Sequence, residues 1–70
     1  MTKADLKHLA EVVPFQPLRI HMVDGKEMEI PHPDHLFFVP GSEMIFVVAN
    51  AQGRSSYRFL TPDQIASVER

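Results

Sequence analysis

Apolar and polar residues alternate on both sides of Asp24-Gly25. In LRIHMVDGKEMEI, residues 18–30, Leu18, Ile20 and Met22 share one face of an extended chain, and Met28 and Ile30 share one after the turn. A two-residue loop at Asp24-Gly25 sets Ile20 opposite Glu29 and Met28 opposite His21, a mixed pairing. A loop of Val23, Asp24 and Gly25 sets Ile20 opposite Met28 and Leu18 opposite Ile30. It also puts Gly25 at the left-handed position that a type I turn with a glycine bulge requires. A slip by one residue turns a whole strand inside out, so the apolar pattern selects the second register.

The same reading extends along the chain. Residues 2–12 predict a short helix within an N-terminal helical segment of residues 1–13. Thr2 caps it and Asp5 stands in a capping-box-like position. Leu6, Leu9, Ala10 and Val13 form its apolar stripe, and the helix must stop by Val13 because Pro14 follows. Residues 15–23 and 26–31 predict two strands. Pro31 and Pro33 bracket His32 and remove two ladder donors, so the chain bends there and resumes over residues 35–39.

Residues 40–43 are a turn around Pro40 and Gly41. Residues 44–49 are apolar at every position, which suits a strand covered on both faces. Residues 50–54 read as a polar loop. Residues 55–60 alternate, with Tyr57 and Phe59 on one side and Ser56, Arg58 and Leu60 on the other. Thr61-Pro62-Asp63-Gln64 combines an N-cap residue, a proline at the first helical position and a glutamine at the third. Ile65, Ser67 and Glu69 then alternate with Ala66 and Val68, which predicts a single 3₁₀ turn followed by a short last strand. Ile20, Met28, Ile45, Val47 and Phe59 are the expected core.

The predicted order is a helix and five strands, with a 3₁₀ turn before the last. Short antiparallel strands that must hide their edges close into a barrel. The expected fold is therefore mainly β: a five-stranded small antiparallel barrel in a single domain, residues 1–70. This order resembles the small Sm-like and SH3-like barrels. Sm-like proteins carry an N-terminal helix before five strands, with a glycine turn after the first. The pattern I-x-M-x-D-G-K-x-M-x-I over residues 20–30 resembles the first Sm motif, and that resemblance implies RNA binding. A second Sm motif is not recognisable between residues 57 and 68. Residues 14–35 also resemble short, uncharacterised bacterial proteins, a likeness that implies no activity.

Size and charge narrow the choice of function. A chain of 70 residues buries only about 60% of its unfolded surface. It has no cysteine, and small scaffolds without disulfide or metal rely on a partner subunit. The net charge is -2 and the basic residues are scattered, so duplex DNA is not an expected partner. Apolar runs are far too short for a membrane span. The first residues carry charges throughout, unlike a signal peptide, and a cytoplasmic location is the default expectation.

Candidate chemistry is sparse. His21, His32 and His35 are the only set with metal-ligand character, and they would serve a small metal-dependent enzyme if they converged. The plainer reading is exposed histidines, with no cofactor expected. His32-Pro33-Asp34 is spelled like the tripeptide of chaperone-stimulating J-domains, but it sits among strand-like residues and reads as a bend. No nucleophile with a base and an orienting acid can be assembled, so no catalytic residue is assigned. Arg54, Tyr57 and Arg58 are the best set for stacking and neutralising single-stranded RNA. Phe37 and Phe38 are adjacent, so one of them points away from the core and needs cover from the helix or another subunit. The leading expectation is a non-enzymatic interaction module that self-associates through its strand edges, and RNA is the alternative partner.

Overall fold

The computed structural model describes residues 2–51 and 53–70, and the side chains of all of these except 50 and 51. Gln52, in the expected polar loop, lies outside the described residues. The elements are α1 (Lys3–Ala10), β1 (Leu18–Met22), β2 (Glu27–Ile30), β3 (Leu36–Phe38), β4 (Ile45–Ala51), β5 (Arg54–Leu60) and β6 (Ile65–Glu69). A 3₁₀ turn, Pro33–His35, precedes β3, and a second, Pro62–Gln64, precedes β6.

The first hairpin takes the register that its apolar pattern selects. Leu18 faces Ile30, Ile20 faces Met28 and His21 faces Glu27. The Gly25 N–H donates to the Met22 carbonyl at 3.0 Å, and Gly25 has φ +91°. Asp24 Oδ1 accepts from the Lys26 N–H at 3.0 Å, which fixes the exit of the turn.

The capping box at the start of α1 is also present. Thr2 Oγ1 accepts from the Asp5 N–H at 3.1 Å, and Asp5 Oδ2 accepts from the Thr2 N–H at 3.2 Å. Lys3 Nζ donates to the Val39 and Ser42 carbonyls at 2.9 and 2.6 Å, pinning the helix to the turn after β3. The helix ends earlier than its stripe suggests: Val13 is 92% exposed. Pro14 keeps Val13 out of the helical region, and the chain has already left the helix at the Glu11 cap.

The sheet corrects the expected five-stranded barrel. The described residues form six strands, in two antiparallel triplets, β6-β1-β2 and β3-β4-β5. Among the described residues, Glu29 bridges Asn50 and joins β2 to β4. The Pro31-to-Pro33 segment is a strand boundary, not a bend within one strand, because the 3₁₀ turn after it interrupts the ladder. Among the described residues β5 pairs only with β4 and β6 only with β1, so the barrel does not close. The Pro62–Gln64 turn hands the chain from one triplet to the other: its Gln64 carbonyl accepts from the Val23 N–H at 2.9 Å, delivering β6 to the edge of β1.

The inner faces of both triplets share one core of Leu18, Ile20, Met22, Met28, Ile30, Leu36, Ile45, Val47, Ala49, Leu60 and Ile65, sealed by Leu6 of α1. Ile20, Met28, Ile45 and Val47 are buried as expected. Phe59 is not: it is 58% exposed. Ile45 is inside and pairs with Leu60, so β5 points Leu60 inward and Phe59 outward. The expected cover on both faces of residues 44–49 is likewise absent, since Phe46 and Val48 are only half-buried.

Candidate interaction surface

The register of β3-β4-β5 lines up rings across three strands. Phe37, Phe46 and Phe59 stand in one cross-strand row, and Val48 faces Tyr57 in the next but one. All lie on the side opposite Ile45, Val47 and Leu60. Phe46 is the hub. Its ring centroid is 6.0 Å from Phe37, 4.9 Å from Phe59 and 6.1 Å from Tyr57, with the Tyr57 ring within 10° of parallel. Such contacts hold aromatic side chains in place on a sheet. The outer three rings are nonetheless open to water: Phe37 is 53% exposed, Phe59 58% and Tyr57 70%. None of these residues carries a charge.

The outer face of β6-β1-β2 is the chemical opposite. Arg19 reaches Glu29 at 3.1 Å and Glu69 at 3.5 Å. His21 Nδ1 lies 3.3 Å from Glu27 and its Nε2 3.0 Å from Glu69. The hydrogen bond that Arg19 donates to Glu29, together with the charges of Glu29, Glu27 and Glu69, raises the Arg19 guanidinium above its ordinary value. These pairs are exposed and contribute little stability each, but they keep this face hydrated.

The sequence-derived candidates are distributed unevenly over these surfaces. Tyr57 lies on the aromatic face. Arg54 and Arg58 alternate to the other side of β5, where Arg58 is half-buried opposite Val47. The three residues expected to bind RNA therefore do not share a face. Phe37 is the exposed member of its pair, and Phe38 packs partly buried against the core. His21 is held among carboxylates. His32 Nδ1 accepts from the Asp34 N–H at 3.2 Å and caps the first 3₁₀ turn. His35 Nδ1 donates to the Val48 carbonyl at 2.8 Å. The three imidazoles are thus engaged separately, and among the described residues no group of three or more histidines and carboxylates is placed to hold a metal ion.

Phe46 and Phe59 belong to the surface without having been singled out for it. The signal was present in the flanking aliphatic residues: Ile45 and Leu60 are the better core formers, and placing both inside forces Phe46 and Phe59 out. No helix among the described residues is long and apolar enough to cross a membrane. Comparison with protein-family models, with curated proteins and with solved structures finds no match to this chain.

Proposed function

We propose that this chain is a non-enzymatic interaction module that self-associates in the cytoplasm, with the aromatic face of β3-β4-β5 as its working surface. One observation carries the reading. Phe37, Tyr57 and Phe59 each leave more than half of their surface in water on an uncharged face, while β5 directs Ser56 and Arg58 to the core side. Core packing of Ile45 and Leu60 sets which way β5 faces, but it does not require rings at the positions left outside, and a contact beyond the domain gives them a use. The need for a partner fits the size of the chain, which has 70 residues and no cysteine. RNA is the weaker reading because Arg54 and Arg58 stand away from the Tyr57 face, and stacked bases need cations beside the rings to meet their phosphates.

Light scattering across a concentration series, read with the nucleic-acid absorbance of the same samples, tests the proposal. The expected result is a mass that rises above one chain in a sample free of nucleic acid. A strictly monomeric protein at about 1 mM, the weak end of protein association, would falsify it. A monomer that copurifies with RNA would replace it with the RNA reading.

A further inference from the structure

Resting on that reading, we propose how two copies meet: the β3-β4-β5 faces pack against each other about a twofold axis, ring on ring, instead of joining along strand edges.

Charge decides which faces can meet. A twofold contact places the same patch on both partners. The face of β6-β1-β2 would then bring Glu27, Glu29 and Glu69 against their own copies, with only Arg19 and His21 between them. The face of Phe37, Phe46, Val48, Tyr57 and Phe59 has no ionisable group at neutral pH, so meeting itself incurs no repulsion. It is the self-complementary side of the molecule.

Area decides between face and edge. With about 200 Å² for an aromatic side chain, exposures of 53%, 58% and 70% at Phe37, Phe59 and Tyr57 leave roughly 350 Å² of ring surface in water. Edge pairing of β5 or β6 covers none of the rings and leaves a patch of roughly 350 Å² open on each copy, a size at which exposed apolar patches are often functional. Face packing removes the patch from both copies. The total buried, with Met44 and the rims of Phe46 and Val48 added, is about 800–1,000 Å². That falls below the standard size of stable interfaces and among weak, transient contacts, so the dimer is a weak one with a dissociation constant of about micromolar or higher.

The chain contains one tyrosine and no tryptophan, and that tyrosine, Tyr57, lies on this face. Its fluorescence therefore reports the contact in the unaltered protein. Acrylamide quenching of Tyr57, followed from about micromolar to millimolar protein, should weaken as the mass measured on the same samples rises. Phe59→Ser should raise the dissociation constant by about 30-fold, as loss of an exposed aromatic anchor does, while Glu69→Gln on the other face leaves it unchanged. If the mass rises but Tyr57 stays fully quenchable and Phe59→Ser associates like the wild type, assembly stands and the face is rejected in favour of edges. If the mass never rises, both the assembly and the face fall together. The quenching experiment needs no variant, so a folding defect in Phe59→Ser does not remove the test.

Discussion

Phe59 and Leu60 are adjacent on β5, yet Phe59 is 58% exposed and Leu60 1%. Leu60→Ala should cost about 2–5 kcal/mol, the usual loss for a buried leucine. Phe59→Ala should cost only about 1 kcal/mol, from its contact with the Phe46 ring. Urea titration of both variants checks the placement, and equal losses would contradict it. The alternation of residues 55–60 was legible in the sequence, but its facing was not. Residues 44–49 are apolar at every position, so β4 offers two plausible inner faces, and β5 inherits whichever is chosen. Hydrophobicity alone sends Tyr57 and Phe59 inward; the aliphatic pair of Ile45 and Leu60 wins because branched side chains fill the shared core. Gly25 is the opposite case, read correctly from its neighbours. A Cβ there meets no atom within 4 Å, so Gly25→Ala carries only the backbone cost of positive φ, about 1 kcal/mol. Gly25→Asn should lose less in the same titration, since asparagine visits left-handed backbone more readily.

At the level of elements, short spacings predicted well and long pairings did not. Thr2 and Asp5 announce the helix start, and Thr61-Pro62 with Gln64 announces the second 3₁₀ turn, because each signal closes within one turn of backbone. The two prolines around His32 were legible as an interruption. That they separate two strands depends on His35 bonding the Val48 carbonyl and on β2 pairing with β4 at Glu29 and Asn50, and no local pattern encodes either contact. The helix cap carries a pH prediction. Hydrogen bonds from the Thr2 backbone N–H and hydroxyl lower the Asp5 carboxyl below its ordinary 3.8. A carboxylate depressed in the folded state contributes stability above its unfolded value and loses it as pH falls through the folded one. Asp5→Asn should therefore melt below the wild type at about pH 6, with the gap closing toward about pH 2. A gap that persists unchanged in acid would show that the cap works without the charge.

Across the whole molecule, the two triplets divide the chemistry between them. One outer face is an ion-paired ladder of Arg19, His21, Glu27, Glu29 and Glu69; the other is an uncharged group of rings around Phe46. Pairing of β2 with β4 and a shared core hold the triplets together, and among the described residues the unclosed barrel leaves β5 and β6 with one strand partner each. A domain of this size and openness holds only a few kcal/mol of net stability, so a partner that covers the rings must also stabilise the fold. Binding that favours the folded state alone raises apparent stability with concentration, and a homodimer supplies its own ligand. The urea midpoint of the wild type should therefore climb as protein concentration is raised from about 10 μM to about 1 mM, across the expected dissociation constant. Phe37→Ser removes an exposed ring whose loss from the monomer costs little, so at the lowest concentration its midpoint should stay near that of the wild type. At the highest it should lag behind, because the dimer no longer contributes. Midpoints that are independent of concentration in both proteins would mean that the rings face water without a second copy to cover them.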